Sequence, residues 1–209
     1  MWVMLLLLFV TTASAQSLQK ASPEKSKKMV EAANKATAAV KTIQCDFTQV
    51  RQSAMVKEKM TSKGKMYFSG TNLKWAYTSP TTYALIVKDG GQQVYIQQDG
   101  KTKKAEGQSA QLFKGIAQIV MGSVTGAALS ENGDFTVEMF THGDKWVAKL
   151  TPKQPKMKKM FTAIYLYFNE SHNAVNKVEM KEANGDTTTI TFTNLRLNEK
   201  VSDAVFEIR

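Results

Sequence analysis

From Cys45 onward, apolar and polar side chains alternate with a period of two residues along most of the chain. The pattern comes in short runs, such as Met66 to Phe68 and Leu73 to Tyr77, and turn sequences such as Asp89-Gly90-Gly91 separate the runs. Such alternation places successive side chains on opposite faces of a strand, and Asp-Gly turns join antiparallel neighbours. The sequence therefore predicts one antiparallel meander of about ten or eleven strands.

A sheet of this length curls, and its apolar concave face has to be covered. Two helical segments are available to cover it. Residues 23–43 carry Met29, Ala33 and Val40 at helical spacing, and residues 109–126 form an apolar insert that contains three glycines. The predicted fold is mainly β with some α, an unclosed antiparallel β-barrel in which helices cover an apolar cavity.

The first residues have a different character from the rest of the chain. Met1–Val10 is continuously apolar, and the small residues Ala13-Ser14-Ala15 follow it. A short apolar run before a small-x-small site is typical of a secretory signal, and it is far shorter than the roughly 20 residues that a membrane-spanning helix needs. We expect cleavage after Ala15, export from the cytoplasm, and a single mature domain over residues 16–209.

The chain is strongly basic, with a formal net charge of +10 at pH 7. Of its 28 basic residues, three are arginines, Arg51, Arg196 and Arg209, and the rest are lysines. A lysine-rich surface interacts diffusely, because ammonium groups lack the bidentate geometry of guanidinium groups. Export argues against nucleic acid as a partner and favours transient contact with anionic membrane surfaces or acidic proteins.

Residue types that carry catalytic or metal chemistry do not cluster in the sequence. His142 and His172 both lie in turn sequences, and no Cys/His spacing suits a metal. No G-x-S-x-G nucleophile motif occurs, since Gly122-Ser123-Val124-Thr125-Gly126 misplaces the serine. The single cysteine, Cys45, excludes an intramolecular disulfide and is interpreted as a small buried hydrophobe. We expect a monomeric binding protein that uses no cofactor or metal and is not an enzyme.

The alternation also predicts which side chains face the cavity, although it leaves plain core packing open as an alternative for each of them. The chain has 11 methionines, whose flexible side chains suit an adaptable wall. The apolar insert is predicted to be a movable lid, and the basic stretch around Lys153–Lys159 is a possible docking loop. The predicted cavity wall is Phe47, Met66, Phe68, Leu73, Trp75, Val94, Ile96, Phe135, Val137, Met139, Ile164, Leu166, Ile190 and Phe192; the predicted lid is Leu112, Ile116, Ile119 and Val120; and the docking lysines are Lys153, Lys156, Lys158 and Lys159.

Several motifs occur in a fixed order. They are Asp46-Phe47-Thr48-Gln49 after a helix, Gly64–Phe68 followed by Leu73–Tyr77 and Pro80, Ile86–Gly90 followed by Val94-Tyr95, and Trp146–Lys153. In this order they resemble the LolA family, the periplasmic carriers of outer-membrane lipoproteins. The resemblance implies a periplasmic, helix-covered half-barrel whose cavity wall holds the acyl chains of lipoproteins. It would take them from an inner-membrane ABC transporter to an outer-membrane acceptor without a cofactor.

One stretch departs from the family pattern. The family usually has Lys-Arg-Pro before the Leu-x-Trp strand, and its arginine helps to latch the lid, whereas this chain has Ser69-Gly70-Thr71. The short form resembles divergent members from Bacteroides-type bacteria. Three alternatives remain beside the carrier: a lipid- or lipoprotein-sensing binding protein of the same fold, a carrier of another lipid, and an exported hydrolase.

Overall fold

The computed structural model shows one antiparallel sheet that curves without closing. The predicted signal peptide and the four predicted lid residues, Leu112, Ile116, Ile119 and Val120, lie outside the residues that the structure describes. The described residues are 17–56, 58–106, 122, 127–130 and 133–208.

The sheet contains twelve strands within the described ranges. Their order across the sheet is β1-β8-β9-β10-β11-β12-β2-β3-β4-β5-β6-β7, so β1 and β7 form the two edges of an open half-barrel. The predicted fold class is confirmed, with more strands than the ten or eleven expected. The strands are β1 Gln19–Lys20, β2 Thr42–Gln52, β3 Lys59–Ser69, β4 Asn72–Ser79, β5 Tyr83–Lys88, β6 Gln93–Gln98, β7 Lys101–Lys104, β8 Phe135–His142, β9 Lys145–Pro152, β10 Phe161–Phe168, β11 Val175–Glu182 and β12 Thr187–Leu197.

The two edge strands are short and polar, which explains why periodicity missed them. β1 has two residues, and β7 has the sequence Lys-Thr-Lys-Lys, with no apolar side chain to reveal an alternation. Lysines on an edge strand also discourage pairing with the edge of another sheet.

Helix α1 spans Pro23–Ala38 and ends earlier than predicted. Ser22 caps its first turn, and Pro23 occupies a position where a missing N–H costs nothing. The prediction that the helix runs to residue 43 is wrong: the Val40 N–H bonds to the Thr37 carbonyl, and Ile43 already pairs with Phe68 in the sheet. Valine, threonine and isoleucine after residue 39 favour a strand over a helix.

The segment predicted as a basic loop contains a short helix, α2, at Pro155–Lys158. Pro155 stands at its first turn, where proline is well tolerated because its missing N–H has no helical partner. Single 3₁₀ turns occur at Asp89–Gly91, Ala127–Leu129 and Asp203–Phe206. None of the helices in the described part of the chain is long and apolar enough to cross a membrane.

Each face of the sheet has its own cover. Met29 and Ala33 of α1 join the main apolar cluster on the concave face, and α1 packs beside β8 and the Ala127–Leu129 turn. On the convex face, the C-terminal segment crosses the sheet and accepts hydrogen bonds from Thr42 and Gln44. Its last turn packs beside β4 and buries Phe206.

Candidate functional site: an apolar trough with an adjoining cavity

The fourteen predicted wall residues lie together on the concave face of the half-barrel. Twelve of them are buried in one apolar cluster, and Ile96 and Val137 are half-buried against it. They come from β2, β3, β4, β6, β8, β10 and β12, because alternation turns every second side chain of these strands inward. We call this surface the trough. Its contact with acyl chains stays a prediction.

Further trough residues were not among those predicted. Leu85 and Val87 on β5 belong to the same buried cluster, as do Leu150, Val178 and Met180. The alternation of apolar and polar residues along β9 and β11 was sufficient to predict that Leu150, Val178 and Met180 face the trough. The continuous apolar run of β5 hides its inward face, because Ala84 and Ile86 are buried on the convex side.

Aromatic rings form the centre of the trough. Trp75 packs against Phe47 with ring centroids 4.3 Å apart. The centroid of the Phe192 ring lies 5.9 Å from that of Trp75. Gly64 of β3 leaves room for this packing: a Cβ atom there would lie 2.6 Å from the Phe47 ring and 2.1 Å from the Ala76 carbonyl oxygen.

One end of the trough is polar. The Tyr77 hydroxyl donates a hydrogen bond to Gln49 Oε1 at 2.9 Å, and its ring stacks on Tyr83 at 4.4 Å. Burial, together with the neighbouring Tyr83, raises the pKa of Tyr77, so its hydroxyl stays protonated. The indole Nε1 atom of Trp75 is buried without a hydrogen-bond partner among the described residues.

A cavity of about 730 Å³ adjoins the trough between α1 and the outer edge of β8. Phe135, Val137 and Met139, which are three of the predicted wall residues, line it together with Val30 of α1 and Leu129. A volume of this size is within the range of small-ligand sites. β1 pairs with β8 at Thr141 and Phe140, and the Ala21 N–H donates to the Met139 carbonyl; the preceding part of β8, Phe135–Glu138, lines the cavity.

Charged groups surround this cavity. Glu138 forms ion pairs with Lys20 and with Lys149, the latter at 3.3 Å, and these interactions, Lys20 first, lower the pKa of its carboxyl group. Lys27 and Glu31 of α1 also reach the cavity. The Asn34 Oδ1 atom is buried there without a hydrogen-bond partner among the described residues. The cavity thus combines an apolar wall with a polar rim.

Cys45 is buried in the trough cluster, as the sequence predicted. Burial and the neighbouring Asp46 raise the pKa of its thiol to about 12, so the nucleophilic thiolate is scarcely populated near neutral pH. His172 stacks on Trp146 with centroids 3.8 Å apart, and His142 ends β8. In the ranges that the structure describes, no group of His, Cys, Asp and Glu is placed to hold a metal ion.

The four lysines of the predicted docking loop lie in and beside α2. Lys153, Lys156, Lys158 and Lys159 are all exposed, and Lys153 also reaches the cavity beside α1. Their role in docking stays a prediction.

The chain is similar to a known family in sequence and to solved structures in fold. The family model described as outer membrane lipoprotein carrier protein LolA matches residues 38–209. No curated protein matches the chain by sequence. Among solved structures, lipoprotein LppX from Mycobacterium tuberculosis superposes with a TM-score of 0.50 at 9% identity, covering 87% of this chain and 99% of that one, which is a likeness of fold alone. A LolA superfamily protein from Nitrosomonas europaea covers 87% and 97% of the two chains at 13% identity, with a TM-score of 0.47.

The open half-barrel, with its apolar concave face and adjoining cavity, is the architecture of a class of binding folds that enclose apolar ligands. Within that class, the chain belongs to the LolA family of outer membrane lipoprotein carrier proteins, since the family model covers most of its length. The resemblance drawn from the ordered sequence motifs is confirmed, and the chain is a divergent member.

Proposed function

We propose that this protein is a periplasmic carrier that binds the acyl chains of lipoproteins on its concave face and moves them from the inner to the outer membrane. The observation that supports the proposal best is the joining of two features: a continuous apolar trough and a cavity of about 730 Å³ that shares Phe135 and Met139 with it. Membership of a family of lipoprotein carriers supports the same cargo.

A carrier has to shield acyl chains and still release them. Each methylene group that leaves water contributes about 0.8 kcal/mol, so a rigid, fully complementary pocket would hold the cargo too strongly. Met29, Met66, Met139 and Met180 are all buried in the trough cluster, and their flexible side chains let the wall adapt to cargo and repack after release.

Entry of cargo requires α1 to move relative to β8. The helix packs through a narrow face on which Met29, Ala33 and Thr37 are buried, and an adjacent face with Val30 and Asn34 lines the cavity beside β8. Asn34 and the Trp75 N–H supply unpaired polar groups near these apolar surfaces, where the ester or amide groups of a lipoprotein could bond.

By analogy with the family, the donor is an inner-membrane lipoprotein-releasing ABC transporter and the acceptor is an outer-membrane protein. The insert that carries Leu112, Ile116, Ile119 and Val120 remains the predicted lid, and its latch differs from the family's because Ser69-Gly70-Thr71 replaces the arginine motif.

The proposal is tested by the binding of a synthetic peptide that bears a triacylated N-terminal cysteine. The wild-type protein should bind it and accelerate its transfer between vesicles, and it should not bind the same peptide without acyl chains. Val137→Asp places a carboxylate against the half-buried cavity wall, and we expect affinity to fall at least about tenfold, equivalent to about 1.4 kcal/mol.

Thr191→Asp is the matched control, because it introduces the same charge on the exposed outer face of β12. It should bind like the wild type. Absence of acylated-peptide binding by the wild-type protein would refute the proposal. Binding of a free phospholipid in preference to the acylated peptide would instead indicate a carrier of another lipid.

A further inference from the structure

Three large apolar side chains stand exposed at the tip of the β2–β3 hairpin. Met55, Val56 and Met60 expose 93%, 57% and 69% of their surface, respectively. Leu18 and Ile208 are the other large exposed apolar residues in the described part of the chain, at 37% and 41%. A group of exposed apolar side chains on a soluble surface is typical of a contact site.

The hairpin tip is fixed to its neighbours. The Ala54 backbone N–H donates to Asp186 Oδ1 at 2.9 Å, and Arg51 Nη2 donates to Asp186 at 3.0 Å and to Glu182 at 3.2 Å. These bonds connect the tip to the β11–β12 turn across the sheet. These hydrogen bonds therefore hold in place the backbone that carries the exposed apolar side chains.

The basic segment around α2 lies at the same end of the sheet. In this antiparallel order, the β2–β3, β9–β10 and β11–β12 connections all leave the sheet at one end. The Ala183 N–H donates to the Met160 carbonyl at 3.0 Å, which joins the β11–β12 turn to the segment that contains Lys158 and Lys159. One end of the molecule thus combines an apolar tip with exposed ammonium groups.

We propose that this end, formed by residues 53–56, 58–60 and 153–160 and called the docking end, binds the surface of an anionic lipid bilayer. Met55 and Val56 enter the interfacial region, while Lys158 and Lys159 contact lipid phosphates. The net charge of +10 favours an anionic surface, and three apolar side chains are too few for the roughly 800 Å² per partner of a stable protein interface. The proposal is independent of what the trough carries.

Vesicle flotation tests the docking end with the whole protein. Wild-type protein should float with vesicles of phosphatidylethanolamine and phosphatidylglycerol, and more weakly with phosphatidylethanolamine alone. The double substitution Met55→Asp/Val56→Asp should lower binding at least about fivefold, because two apolar anchors are lost and two anions are added. Ile208→Asp, the same kind of change at an exposed apolar residue outside the docking end, should leave binding unchanged.

The lysines are tested separately. Lys158→Gln/Lys159→Gln should weaken binding to phosphatidylglycerol vesicles about fivefold or more, and should make the remaining binding less sensitive to salt. If either double variant floats with vesicles as well as the wild type does, the role proposed for the residues changed in that variant is wrong.

A second measurement does not depend on acidic substitutions being tolerated. An environment-sensitive fluorophore is attached to the Val56→Cys variant. Labelling is selective for this position because the native Cys45 is buried. The fluorescence should shift to shorter wavelength with phosphatidylglycerol vesicles, whereas the same fluorophore on Thr71→Cys, in the exposed β3–β4 turn at the opposite end, should not shift. Equal shifts at both positions, or none at residue 56, would overturn the proposal. Acylated-peptide binding in solution should be unaffected, so failure here leaves the carrier proposal standing.

Discussion

At the scale of single residues, packing at the centre of the trough requires a glycine, with no side chain, at position 64. Gly64 pairs with Phe47 on one side and with Tyr77 on the other, next to a shift in the β3–β4 register. This irregularity brings the Ala76 carbonyl oxygen over the position that a Cβ atom would occupy. Glycine is required here by the close approach of backbone and ring, rather than by an unusual backbone angle.

Gly64→Ala should therefore be strongly destabilising. A methyl group 2.1 Å from a backbone oxygen forces the sheet itself to move, and we expect a loss of about 3 kcal/mol or more in the free energy of unfolding. Gly70→Ala is the comparison: Gly70 has a φ of +59° and open space around it, so the cost should be only the backbone strain of about 1 kcal/mol. Urea unfolding of both variants gives the ranking, and equal losses would contradict the packing argument.

At the scale of elements, Asp186 connects two hairpins that are far apart in sequence. Its carboxylate accepts hydrogen bonds from Ala54 and Arg51 of the β2–β3 hairpin, while it belongs to the β11–β12 turn. The Ala54 N–H above all, and then Arg51, hold the pKa of Asp186 below its ordinary value of 3.8. The charged form is thus the one that holds the two hairpins together.

Asp186→Asn should lower the thermal midpoint at neutral pH. Because the folded-state pKa is depressed, the wild-type contribution is complete above the ordinary aspartate pKa and is lost as the pH falls through the folded value. The difference in Tm between wild type and Asp186→Asn should therefore shrink as the pH falls from 6 towards 2. Asp144→Asn, in the exposed β8–β9 turn, is the control, and a difference for Asp186→Asn that stays constant with pH would contradict the proposed role.

At the scale of the whole molecule, the core alone holds the half-barrel, since one cysteine excludes an intramolecular disulfide. The trough cluster joins α1 with strands from both halves of the sheet. Opening of the trough and unfolding of the domain expose parts of the same apolar surface. The buried thiol of Cys45 lies within that surface and reports on both processes.

Cys45 should react with a thiol reagent at pH 8 far more slowly than a cysteine in a short peptide. Its pKa of about 12 and its burial both suppress the thiolate, so reaction requires the sheet around β2 to open. The rate should rise with urea and should fall when the triacylated peptide is bound, since ligand binding stabilises the closed fold. Reaction at the rate of the peptide would mean that the region around β2 is open in the native protein.

The sequence alone predicted those features that depend on neighbouring residues along the chain. Alternation assigned Phe47, Trp75 and Met139 to one face of an open antiparallel sheet, because side-chain direction in a strand is set locally. It also placed Cys45 in the core. The ordered motifs were sufficient to indicate the family.

The tertiary structure decided what depends on residues distant in sequence. Helix α1 ends at Ala38 because Thr42 and Ile43 pair with β3, and the cavity lies where the chain leaves the β8 edge after the hydrogen bond from Ala21 to Met139. The docking end forms because the hydrogen bonds of Asp186 and Ala183 bring three connections together. Periodicity carries no information about such contacts, since it records which way a side chain points and not which distant segment meets it.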